Sequence, residues 1–383
     1  MATLRYSLDI TLPSGHTNDI TVLQFSPDGR FLASGSGDGV LLVFSTSSWK
    51  PVKRFVDASS INALVWHPVI PKTLICGYAS GDVHTTRFES HHLVKFLSRF
   101  LVNSDPDNPQ ADTGSNVWTD RMDGPVNRIA IDKTGTKIAV AYGREVVVFD
   151  QNTLSSWTNA RKLPEPPSLP GLDEQLPASI ASSLHFVDDG KVLIVSYSDH
   201  GIVCWDLSSL ESKWHITPRA CSIGCSTISS DEKVVVVSNL YDGLDWYKIP
   251  DRTFSRSVPI RIAKNVIIPV QFVDGDALLI TGGTSGMAKV LDARTAETIQ
   301  TLDHDSDDMI QAIAFHLSTK KGTRYIATGT SGRRSIIRVW VSSKAEAVPE
   351  PPTEYVTDSP APTPPTTPED PVKILNSVLL RFC

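Results

Sequence analysis

GHTNDITVLQFSPDGRFLASGSGDGVLLVF, residues 15 to 44, contains three strand-like runs separated by two turns. Gly15 and His16 precede a run that ends at Phe25. Ser26 to Gly29 (SPDG) then supplies the Pro-Asp-Gly chemistry of a tight turn. FLASGS forms the second run, Asp38 and Gly39 make the next turn, and VLLVF closes the unit. Weaker copies recur along the chain, which makes the repeat, rather than the single residue, the unit to interpret.

The first run of each copy ends in a comparable way: VLQF at Phe25, ALVW at Trp66, RIAI at Ile131, SLHF at Phe186, CSTI at Ile228, PVQF at Phe272 and AIAF at Phe315. These seven ends lie 41, 65, 55, 42, 44 and 43 residues apart. A four-stranded repeat takes about 40 to 45. The two long intervals carry their excess in segments of loop composition. Residues 103–124 (NSDPDNPQADTGSNVWTDRMDG) are polar and turn-rich, and residues 161–177 contain five prolines, which cannot donate to a strand ladder.

Helical periodicity is absent through residue 343. The expected fold is therefore all-β: a seven-bladed β-propeller of four-stranded antiparallel blades, built by radial repetition. Leu4 to Ile10 are one strand too many for the first blade. As the outer strand of the seventh they would close the ring and protect an edge. The expected organisation is a propeller over 1–343, a disordered Pro/Thr-rich linker over 344–371 and a short apolar tail over 372–383.

Blade one resembles the WD-repeat (WD40-like) family, with Phe44 where that family usually has tryptophan. The resemblance implies a hydrogen-bonded tetrad inside each blade. His16, Ser34 and Asp38 fill three of its places in blade one. Blade four keeps Asp199 and Trp205 but has Val195 in the serine place, and blade seven keeps His304, Thr328 and Trp340. The other blades are more degraded: Thr281 in blade six, Ser80 in blade two and Asp242 in blade five are what remains. These residues read as structural, because buried polar groups need partners.

Of 383 residues, 40% are apolar and 20% charged, and the formal net charge is −6. No positive field favours nucleic acid, which is not an expected partner. The N-terminal residues lack the pattern of a signal peptide, and no run approaches the ~20 apolar residues of a membrane span. The five cysteines, Cys76, Cys204, Cys221, Cys225 and Cys383, are scattered without a second pair at zinc spacing, so no metal is expected. The expected compartment is cytoplasmic, with the nucleus as the alternative.

No phosphate loop, nucleophile elbow or metal-binding helix motif is present. GSGDG (residues 35–39) sits in a strand-to-strand turn. His91 and His92 are adjacent and point to opposite faces of a strand. The reading is a non-catalytic protein-interaction scaffold without cofactor, a monomer within a larger complex.

Its partner-binding candidates are Tyr78, Tyr142 and Tyr197, at the ends of second strands, with Tyr241 beside a turn. Asp307 and Asp308 of the DHDSDD loop and Arg333 and Arg334 of the following turn are candidates for charge selection. Two alternatives are weighed. A phosphoinositide-binding, membrane-associated propeller would use the arginine pair or residues 372–383. A ubiquitin-ligase substrate-receptor adaptor is suggested by the LDAR stretch, Leu291 to Arg294.

Overall fold

The quoted unit folds as four antiparallel strands: Ile20–Phe25, Phe31–Ser36, Val40–Ser45 and Pro51–Val56. The structure is a computed structural model. It describes residues 5–13, 15–88, 116–153, 156–167, 180–219, 222–260, 266–318, 322–332 and 335–342. In the SPDG turn the Phe31 amide donates to Ser26 Oγ at 3.0 Å, and the Gly29 amide donates to the Ser26 carbonyl at 2.8 Å. At Gly39, φ is +75° and an added Cβ would lie 2.2 Å from the Asp57 carbonyl oxygen. Only glycine combines that conformation with that approach.

Six further sheets repeat the plan, each with its first strand innermost. The inner strands are Ile61–Trp66, Val126–Ile131, Ala181–Val187, Cys225–Ile228, Val270–Val273 and Ile310–Leu317. Each touches the inner strand of the next blade, and the seventh returns to the first. The chain thus forms the expected seven-bladed propeller. Among the described residues, its one helical element is a 3-10 turn, Asp188–Gly190.

The core is a ring of interfaces. Seven buried apolar clusters lie among the described residues, and each is shared by two adjacent blades. Ile20 and Phe44 of blade one, for example, meet Ala312 and Val339 of blade seven. This explains why second and third strands read as continuous apolar runs: Val40–Ser45 and Val192–Tyr197 are covered on both faces.

Closure follows the expected route, with the strand starting three residues and ending two residues later along the chain. Ser7–Leu12 pairs antiparallel with Ile337–Ser342, with Leu12 opposite Ile337. The Tyr6 amide donates to Gln300 Oε1 at 2.8 Å, and Gln300 Nε2 returns a bond to the Tyr6 carbonyl at 2.6 Å.

Two segments depart from the sequence reading. Asn116–Arg121, assigned above to a surface excursion, is the outer strand of blade two. The insertion therefore falls inside that blade, before its fourth strand, and residues 89–115 lie outside the described set. Arg161 and Lys162 likewise belong to the outer strand of blade three, Ser156–Lys162. Outer strands are covered on fewer sides, so their sequences lack the apolar signature that marks the inner three.

Cys76 and Cys204 are buried, and burial pushes both thiols up to about 12, which leaves them inert at neutral pH. Among the described residues no helix is long and apolar enough to cross a membrane. None of their His, Cys, Asp and Glu side chains group in threes that could hold a metal ion. His91, His92, Cys221, Arg333, Arg334 and everything from residue 343 onward lie outside the described residues.

Candidate functional site at the channel mouth

Five of the seven inner strands break register at their second residue. The extra residues are Thr21, Asn62, Asn127, Ser182 and Gln311. A bulge leaves such a residue out of the ladder and re-aims its side chain. Here all five are polar, and all five line one cavity of about 250 Å³ at the end of the central channel where the inter-blade loops enter. Blades five and six, whose inner strands are four residues long, carry no such bulge.

The bulge residues also fasten each blade to the next. Thr21 Oγ1 donates to the Ile61 carbonyl, and Asn62 Nδ2 to the Val126 carbonyl at 3.0 Å. Arg128, beside Asn127, donates through Nε to the Ser182 carbonyl at 2.8 Å. Gln311, by contrast, makes no side-chain hydrogen bond to a described residue.

Apolar side chains stand beside this polar collar. Ile180 and Ile267 line the same cavity and are 43% and 46% exposed. Tyr241, on the turn of blade five, is 81% exposed. Leu240 adopts φ +56°, and its side chain packs against Gly224, next to the backbone of Ile267. The turn thus tucks Leu240 inward and leaves Tyr241 outside.

The other three tyrosines correct the sequence reading of an aromatic rim. Tyr78, Tyr142 and Tyr197 are 5%, 9% and 2% exposed. Each pairs with the inner-strand residue just before a bulge, namely Ile61, Val126 and Ala181. Strand alternation turns side chains there into the packing between blades, not out of the strand end. Tyr142 keeps one polar contact, donating from its hydroxyl to Glu145 Oε2 at 2.6 Å, and burial followed by Glu145 holds its pKa above the usual phenol value. The sequence marked where the strands end but not which way those side chains face.

Asp307 and Asp308 are exposed in the loop entering blade seven, on the same rim. Arg333 and Arg334 lie outside the described residues. In LDAR, Leu291 is buried, and Asp292 Oδ1 accepts the Arg294 and Thr295 amides at 2.9 and 2.7 Å, so the carboxylate closes its own turn.

The tetrads survive unevenly. In blade seven Thr328 Oγ1 accepts the Trp340 indole N–H at 2.8 Å and lies 2.6 Å from His304 Nε2. In blade one His16 Nε2 lies 2.7 Å from Ser34 Oγ, and Nδ1 lies 3.5 Å from Asp38 Oδ1. Burial lowers the His16 pKa, and Asp38 opposes it. Blade four corrects the expected pair. Asp199 accepts from Ser222 Oγ at 3.4 Å, while the buried Trp205 indole N–H makes no well-formed hydrogen bond and has only the Tyr197 hydroxyl nearby. Val195 leaves that indole without the hydroxyl it meets in blade seven.

Blade five contains a network that the repeat pattern did not show. The buried Asp245 accepts from Asn239 Nδ2 at 3.1 Å and from Ser257 Oγ at 2.5 Å. Asn239 Oδ1 in turn accepts three consecutive turn amides, those of Tyr241, Asp242 and Gly243. This is what fixes the turn presenting Tyr241. The run SNLYDGLDW carries those residues, but its spacing differs from the repeat and hides their role.

Thr328→Val tests the blade-seven network. The swap keeps the shape and removes the hydroxyl, leaving the Trp340 and His304 nitrogens unpaired in a buried site. The expected loss is about 2 to 4 kcal/mol in urea unfolding, against about 1 kcal/mol for Thr328→Ser. Equal midpoints for the two variants would show that the hydroxyl contributes little.

Comparisons with known proteins agree with this architecture. Residues 7–45 match the family model "WD domain, G-beta repeat". Over 69 residues the chain is 42% identical to Protein FIZZY-RELATED 1 of Arabidopsis thaliana, which covers 18% of this chain and 14% of that protein. It is 25% identical to Actin-interacting protein 1 of Drosophila melanogaster over 134 residues, 33% of this chain and 21% of the relative. With the Angio-associated migratory cell protein of Canis lupus familiaris it shares 23% identity over 234 residues, 51% and 50% of the two chains. The chain thus spans half or less of the length of these relatives. One blade thus matches the WD-repeat family model, and the seven sheets set around one ring make the chain a seven-bladed β-propeller.

Proposed function

We propose that the protein is a non-catalytic interaction scaffold that captures a peptide or loop of another protein over the channel mouth. The observation that carries this reading is the shared cavity, in which five bulged polar side chains stand beside the exposed Ile180 and Ile267. An apolar anchor surrounded by directed polar groups is the usual composition of a recognition site. Tyr241 adds a large, rigid contact on a turn fixed by Asn239. Asp307 and Asp308 give the rim negative charge, which selects for basic segments, and Arg333 and Arg334 are proposed to modulate that choice. The relatives support the same class, since WD-repeat propellers generally serve as interaction platforms.

The test is affinity purification with Tyr241→Ser/Ile267→Ser against wild type. Both residues are exposed, so the thermal unfolding midpoint is expected to stay within about 2 °C, because surface changes cost little. Recovery of specific partners is expected to fall at least tenfold, the effect of removing two hot-spot contacts. An unaltered partner set would sink the proposal while leaving the fold intact.

A further inference from the structure

On the opposite rim, between blades five and six, lies an open cleft of about 600 Å³, a size that accepts a peptide side chain. Its floor is apolar, made by Trp246 of blade five and Phe272 of blade six. Arg256 lies over the Trp246 ring, 4.7 Å from its centroid, and donates from Nη2 to the Ala293 carbonyl at 3.0 Å. That contact ties the two blades together along the cleft.

The carboxylates in the lining are already engaged. Asp231 accepts from Ser229 Oγ at 2.7 Å and pairs with Lys233 Nζ at 3.3 Å. Asp276 accepts the Ser230 amide at 2.6 Å together with the Ser230 hydroxyl. Lys248 and Arg294 are exposed at the edge, and neither has a carboxylate within 4 Å among the described residues. The cleft therefore sets an aromatic floor beside three cations, Lys248, Arg256 and Arg294, against two carboxylates, of which Asp231 is paired with Lys233.

We propose that this cleft receives an extended segment of a partner protein in which one large apolar side chain is flanked by carboxylates. The apolar side chain fills the space against Trp246 and Phe272, and the carboxylates meet Lys248 and Arg294. The same charges disfavour a basic segment, which gives the site selectivity as well as affinity. This surface is separate from the channel mouth and goes beyond the reading given above.

The test uses the full chain and three fluorescein-labelled hexapeptides that share one phenylalanine, flanked by two glutamates, two lysines or two serines. Fluorescence anisotropy is expected to show the glutamate peptide binding at least tenfold more tightly than the others, and more weakly as salt rises. Lys248→Glu/Arg294→Glu is expected to abolish that preference. Ser255→Trp, which fills the cleft from an exposed position on the outer strand, is expected to weaken the glutamate peptide at least tenfold. Tyr241→Ser/Ile267→Ser leaves binding unchanged, which separates this site from the channel mouth. Equal binding of the three peptides, no binding, or binding that survives both cleft variants overturns the proposal. Self-association that Ser255→Trp abolishes also overturns it, since it assigns the cleft to a second copy of the chain.

Discussion

Deletion of residues 1–12 is expected to lower the stability of the propeller by about 5 kcal/mol, the largest effect anticipated for any short change. Leu12 and Tyr6 are 2% and 4% exposed, and Ile10 packs against the cluster shared by blades one and seven. Burial of three such side chains is worth about 2 kcal/mol each. Total stabilities of domains lie at about 5 to 15 kcal/mol, so this loss is a large fraction of the whole. The deletion also leaves Ile337–Ser342 as a bare edge, with the backbone groups that paired with Ser7–Leu12 exposed. Urea unfolding and light scattering check both parts. An unchanged midpoint with no added association would mean that the N-terminal strand adds little to a ring already closed by the inner strands of blades one and seven.

Acidification from pH 7 to pH 4.5 is expected to destabilise the protein well before its carboxylates titrate. Burial, reinforced by Arg338, pushes His304 down to about 4, against the pull of Asp303 and Asp305. The unfolded chain has an ordinary imidazole, near 6.5. The unfolded state therefore binds the proton first. The stability this histidine contributes is fully present above about pH 6.5 and is lost as pH falls toward about 4. For His304 alone the full loss is about 3 kcal/mol. His16, His67 and His316, all lowered chiefly by burial, act in the same direction. His304→Gln is expected to be less stable at pH 7 and to show a shallower pH dependence. Parallel slopes for variant and wild type would remove His304 from the explanation.

Individual elements show how much the sequence disclosed. The seven strand ends from Phe25 to Phe315 were legible because each inner strand repeats one pattern of buried and half-buried positions and ends on a large apolar residue at a regular spacing. The outer strand Asn116–Arg121 was missed because its sequence, NVWTDR, is mostly polar and follows a long insertion. Asp199 and Trp205 matched the repeat by position, yet they do not join in the structure. A tetrad needs its serine hydroxyl, and Val195 supplies none. The candidate site was legible only in Tyr241, Asp307 and Asp308. The bulge residues Thr21, Asn62, Asn127, Ser182 and Gln311 gave no local signal, since each is an ordinary polar residue near a strand start.

What the sequence by itself determined was the repeat: its length, its count, its turns and the spare N-terminal strand. These follow from local rules of alternation and turn chemistry, which act over a few residues. Only the tertiary structure decided which polar residues converge on the channel, which tyrosines are buried and where the inter-blade cleft opens. Those outcomes depend on register shifts of a single residue and on the packing of blades about 40 residues apart in the chain. A one-residue bulge reverses the direction of a side chain without leaving any mark in the composition around it.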